Sequence, residues 1–157
     1  MMDIGLIITR FLHIVLGAYW VGAIFFTALF LMPALVAAGP DAAKVQQGIQ
    51  QRGFMKFTPI AAILVILTGI DLLRRVSSNF QSAWFGSGTG MTYSIGMAAT
   101  MLAFVIGFFW MRPLLLKAAT LPPAEAQPLR MRGMRLNQVV AALLFIAVAT
   151  MAVARYV

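Results

Sequence analysis

The chain contains no cysteine. No disulfide framework, thiolate metal site or cysteine-attached haem can be built from it, and its composition is silent on redox compartment. Histidine is nearly absent as well: His13 is the only one in 157 residues. Two-histidine ligation of a haem within one chain is therefore impossible. What remains is His/Met ligation, a five-coordinate iron, or a site shared between subunits. Acidic residues number four, and only Asp71 falls inside an apolar segment. Without a second carboxylate it lacks an acid–base partner of its own kind. A nucleophile–base arrangement and a phosphate-binding glycine loop are also missing, so an enzyme is not the favoured reading.

What is present is apolar surface. Apolar residues make up 62% of the chain and charged ones 10%, against about 45–50% and 25% in soluble proteins. A membrane span needs about 20 mostly apolar residues, and four segments qualify: about Ile4 to Ala37, Phe57 to Leu73, Met91 to Met111 and Val139 to Ala154. Such lengths suit helices rather than the short alternating strands of a barrel. The predicted fold is all-α: an antiparallel up-down bundle of four transmembrane helices, over about 4–37, 57–75, 91–116 and 136–156. All 157 residues are expected to form one domain without an internal repeat. The N-terminal segment lacks a basic leader and is interrupted by Arg10 and His13, unlike a cleaved signal peptide.

A net charge of +8 is not a nucleic-acid signal here. Basic residues in membrane-protein loops set orientation and meet anionic lipid. Loops one and three hold Lys44, Arg52, Lys56, Arg112, Lys117, Arg130, Arg132 and Arg135, against Arg74, Arg75, Arg155 and Arg10 on the other side. That bias puts both termini outside the cytoplasm of a bacterial inner membrane, although Arg74-Arg75 pulls the other way.

Gly39-Pro40 should end the first span. Asp41 is then expected to cap a surface helix over about 41–52, with Val45 and Ile49 on one face and glutamines on the other. The loop from Val76 to Gly90 is uncharged and carries Trp84 and Phe85, a composition suited to the lipid interface. Leu121-Pro122-Pro123-Ala124-Glu125 breaks the chain between the third and fourth spans. Small residues at four-residue spacing (Ala18 and Gly22; Ala99, Ala103 and Gly107) suit close helix packing in lipid. Glycines such as Gly17 and Gly22 could instead leave room for a flat cofactor.

The helix order collects nearly all intramembrane polarity into one layer, near the outer leaflet. Arg10 and His13 lie there with Thr68, Asp71 and Arg75, which share a face of the second helix. The third helix adds Thr92, Tyr93, Ser94, Met97 and Met101, and the fourth adds Met151 and Arg155. An intramembrane ionisable group is costly and marks a functional site by default. In the plain reading Arg10 snorkels or pairs with Asp71, and His13 hydrogen-bonds to a neighbouring helix, each such bond worth about 0.6 kcal/mol. In the sharper reading His13 ligates haem iron or copper, with arginines on propionates and a methionine completing the coordination.

Leu12-His13-Ile14, with Trp20 seven residues after the histidine and Val21-Gly22-Ala23-Ile24-Phe25-Phe26 beyond it, resembles the first helix of the copper resistance protein D (CopD)-like membrane proteins. Leu67-Thr68-Gly69-Ile70 and Arg135-Leu136-Asn137 extend the likeness. The same histidine-to-tryptophan spacing occurs in the HemJ-type protoporphyrinogen oxidases. The resemblance implies a four-helix membrane bundle in which His13 ligates haem or metal. The uncharged stretch from Met91 to Met111 departs from the HemJ type, leaving protoporphyrinogen oxidation the weaker option.

The expected function is therefore binding or handling of copper or haem b at an outer-leaflet site. Its expected residues are His13, Arg10, Trp20, Asp71 and Arg75 around the cofactor, and His13, Met97 and Met101 on the metal. The alternative is a non-catalytic accessory subunit of a larger membrane complex. Expected partners are the lipid bilayer, a second copy or such a complex, and no nucleic acid.

Overall fold

The computed structural model describes residues 3–157, apart from the side chain of Pro40. It is all-α. Four helices are long and apolar enough to cross a membrane: α1 (Ile4–Ala37), α3 (Phe54–Val76), α5 (Gly88–Ala118) and α6 (Pro123–Tyr156). Two shorter helices join them, α2 (Ala42–Gln51) and α4 (Ser82–Phe85). The protein is an integral membrane protein. Large apolar side chains such as Phe11, Ile14, Leu29, Ile60, Leu67 and Phe145 lie on its exterior, the arrangement that lipid permits and water penalises.

Local chemistry sets the ends. Asp3 caps α1 by accepting the Leu6 amide at 3.1 Å. Gly39 and Gly53 take positive φ values of 54° and 81° where the chain turns into and out of α2. Ser87 Oγ accepts the Gly90 amide at 3.0 Å and starts α5. The fourth membrane helix begins at Pro123, well before the expected position 136. Proline is tolerated in the first turn, where its missing N–H has no helical partner anyway. The Pro122-Pro123 break thus starts α6, and Arg130, Arg132 and Arg135 belong to its first turns, not to a loop.

The helices pair as two antiparallel hairpins, α1 with α3 and α5 with α6. In the first, Asp3 reaches Arg75, His13 reaches Thr68, and Tyr19 Oη lies 3.1 Å from Thr58 Oγ1. In the second, Thr89 donates to the Val157 carbonyl at 2.6 Å. Further along, a side chain at Gly96 would meet Thr150, and one at Gly133 would meet Leu115. Trp20, Ile24, Ala62, Ala103, Val140 and Leu144 form the core where the hairpins meet. Ala99 and Ala103 are buried as the small-residue spacing predicts, whereas Gly22 and Gly107 have nothing within 4 Å of where a Cβ would stand.

The sequence leaves open which face of the surface helix meets the bundle. Ala42 and Gln46 face inward, while Val45 is 51% exposed. Gln46 Nε2 donates to the Leu115 carbonyl at 3.1 Å, which also accepts the Ala119 amide at 3.2 Å near the end of α5. Asp41 does not cap α2; it forms an exposed ion pair with Lys44 at 3.7 Å.

Both hairpins open with the same irregularity. A π-helical turn spans Thr27–Leu31 in α1 and Ile106–Met111 in α5. The Met32 amide bonds back to Thr27 O, and the Arg112 amide to Gly107 O. Pro33 and Pro113 each stand two residues past the end of their turn. A proline's ring crowds the carbonyl of the preceding turn, and a widened turn relieves the clash.

Candidate functional site

His13 sits in α1 where α3 crosses it and is half-buried. Its Nδ1 lies 3.0 Å from the Val65 carbonyl and 3.1 Å from Thr68 Oγ1. A carbonyl only accepts, and Thr68 spends its own proton on Leu64 O at 2.7 Å. Nδ1 therefore carries the imidazole hydrogen, and Nε2 is left with a lone pair. Nε2 has no hydrogen-bond partner among the described residues, and it is not sealed in the interior. Anchoring Nδ1–H on a carbonyl is also how metal-ligating histidines are oriented.

Gly69 makes this placement possible. A Cβ there would stand 3.0 Å from His13 Cε1 and 3.8 Å from Met97 Cε. The bare backbone of α3 thus admits the imidazole, and Met97 approaches the same point from α5. Met101, one turn on, is 40% exposed on the outer surface. Toward the other side of His13 on its own helix, Gly17 has nothing within 4 Å of a Cβ position. Arg10, His13 and Gly17 share one face at three- and four-residue spacing. Arg10 is exposed and forms no ion pair among the described residues.

The acidic partner expected for Arg10 is engaged elsewhere. Asp71 accepts Arg74 Nη2 at 2.9 Å and Arg75 Nε at 2.8 Å, and Arg75 Nη1 continues to Asp3 at 2.6 Å. These four groups staple the start of α1 to the end of α3. Neighbours three and four residues apart on one helix reach each other more readily than a side chain on a separate helix, so Asp71 takes the arginines of α3. The Leu6 amide and then the Arg75 guanidinium hold the Asp3 carboxyl below its ordinary range.

Trp20 is 4% exposed and belongs to the core between the hairpins, seven residues from His13. Met151 packs beside Gly96, and Arg155 stacks over Tyr156 with its guanidinium carbon 4.9 Å from the ring centre. Among the described residues, no group of three or more His, Cys, Asp or Glu side chains could hold a metal ion. Any metal bound at His13 would need a methionine, a cofactor's own donors or a second copy to complete its shell.

The expectation of one polar layer is also incomplete. Thr27 and Asn137 are buried further along the bundle, and Arg130 and Gln46 are buried at the end carrying loops one and three. Asn137 Nδ2 donates to Thr27 Oγ1 at 2.9 Å. Asn137 stood in the sequence as part of an Arg-Leu-Asn motif, but nothing there linked it to Thr27, 110 residues away. No protein-family model, curated protein or solved structure matches the chain.

Proposed function

We propose that this membrane protein binds haem iron or copper through His13 Nε2, in the manner implied by its resemblance to CopD-like proteins. The observation that carries the proposal is the fixed tautomer of His13. With Nδ1–H held by Val65 O, the free lone pair is on Nε2.

The donor chemistry fits. Imidazole suits both iron and copper, and the thioether of Met97, which converges on Gly69 with His13, is a soft donor of the kind copper(I) accepts. The Arg10–His13–Gly17 face supports the haem form: Gly17 offers open backbone for a flat macrocycle, and Arg10 is a cation free to meet a propionate. Asp71 and Arg75 act at one remove, by tying the ends of α1 and α3 together. The bound metal supplies one-electron chemistry. The chain holds the ring of His13 at a set angle and keeps the site within lipid. On the bias of basic residues we place loops one and three in the cytoplasm of a bacterial inner membrane and this site toward the outer leaflet.

An absorbance spectrum and a metal assay on one purified sample test this. A Soret band or stoichiometric copper, present in the wild type and lost in His13→Ala, is the expected result. Neither signal, together with a single partner copurifying at fixed stoichiometry, would instead establish an accessory subunit.

A further inference from the structure

A cavity of about 80 Å³, open on one side, lies between the two π-helical turns. Its lining is mostly apolar, with the rings of Trp20, Phe54, Phe104 and Phe108 in it, and Thr58, Arg112 and Asn137 are polar residues that also line it. Asn137 is 2% exposed, and its Oδ1 is buried without a partner among the described residues.

The direction of the adjoining hydrogen bonds shows what that oxygen lacks. Thr27 Oγ1 donates to the Ile24 carbonyl at 2.9 Å, so it can only accept from Asn137. Asn137 Nδ2 fills that role at 2.9 Å. Turning the amide over would set two acceptors against each other. Oδ1 is thus fixed as an acceptor, and its missing partner is a donor. Across the cavity, Arg112 Nε donates to Met55 O at 3.4 Å and the guanidinium lies 5.6 Å over the Phe108 ring. Arg112 forms no ion pair among the described residues. One wall wants a donor, another offers a cation, and aromatic rings lie between.

We propose that this cavity binds a hydroxylated aromatic ring of the phenol or hydroquinone class, its hydroxyl donating to Asn137 Oδ1. A lone water is a poorer match, because a buried water needs two to four polar partners and these walls are mostly apolar. The enclosed space is smaller than the ~150 Å³ that takes up benzene in an engineered core. The ring therefore enters hydroxyl first and is only partly enclosed, with any tail left in lipid.

Fluorine NMR of the purified protein in nanodiscs, titrated with 4-fluorophenol and with 4-fluoroanisole, tests the proposal. The phenol should bind saturably, and the methyl ether, which cannot donate, about tenfold more weakly. Asn137→Leu should abolish that preference. Gly107→Leu, whose side chain grows into open space on the cavity wall, should abolish binding of both probes. Equal affinity for the two probes, absence of saturable binding, or unchanged binding in Gly107→Leu would each overturn it. If Asn137→Leu fails to fold, the wild-type preference and Gly107→Leu decide.

Discussion

Asn137 on the last membrane helix donates to Thr27 on the first, at 2.9 Å and out of contact with solvent, and Thr27 passes its own proton to Ile24 O. The bond ties the two hairpins together beside a π-helical turn. Interhelical hydrogen bonds in membranes average about 0.6 kcal/mol and reach about 1.7. A double-mutant cycle with Thr27→Val and Asn137→Leu should give a coupling in that range by reversible unfolding in mixed micelles. Zero coupling would mean that the two side chains merely lie together.

Gly69 governs the setting of His13. A Cβ would stand 3.0 Å from the ring, so Gly69→Val must push the imidazole off the Val65 carbonyl, at about 1–3 kcal/mol for overpacking. The same change at Gly17 meets open space and should leave the metal-free protein's stability nearly unchanged. Thermal unfolding, with ¹⁵N shifts of the ring nitrogens, separates the two. Equal effects at both glycines would count against the packing described.

Acid should loosen the start of α1. The carboxyl of Asp3 is held below the ordinary value of about 3.9 by the Leu6 amide and Arg75. Its contribution is complete above that value and is lost as pH falls through the lower folded-state value. Amide exchange at Leu6 and Ile7, corrected for intrinsic rates, should therefore accelerate below about pH 4. Asp3→Asn should flatten this dependence, since asparagine still caps but does not titrate in this range. Retention of the wild-type profile in that variant would assign the acid response to another group.

Arg130 is 1% exposed and forms no ion pair among the described residues. Its Nε donates to Gln46 Oε1 at 3.3 Å and its Nη1 to Gly39 O at 3.5 Å, while Nη2 is unpartnered. A buried donor left unpaired costs about 1–3 kcal/mol. Arg130→Met should recover part of that cost and raise the unfolding midpoint. Gln46→Leu should lower both the midpoint and the stability, the latter by about 1.5–3 kcal/mol, because it strips an acceptor from a buried cation. Opposite signs for the two variants are the diagnostic result.

The spans were legible because they rest on a strong local signal, long apolar runs. The inward face of α2 was not legible. The spacing sets Val45 and Ile49 on one face and the glutamines on the other, but only the packed bundle brings the Leu115 carbonyl within reach of Gln46. The start of α6 was masked by Pro122-Pro123, since a proline pair punctuates a loop and a helix N-terminus alike. Asp71 was correctly placed at the His13 end of the bundle, yet its choice of Arg74 and Arg75 over Arg10 depends on side-chain reach. The pairing of Thr27 with Asn137 arises only from how the two hairpins dock.

Each π-helical turn amounts to one surplus residue in an otherwise regular helix. Removing one, for example Leu29, whose side chain points to the exterior, would let the turn close to ordinary α geometry while the flanking segments kept their present faces. A single-residue deletion would ordinarily rotate everything downstream by about 100° and scramble a helix's buried face. Among its described residues the chain carries two places where its length can change by one without that rotation, and both border the same cavity.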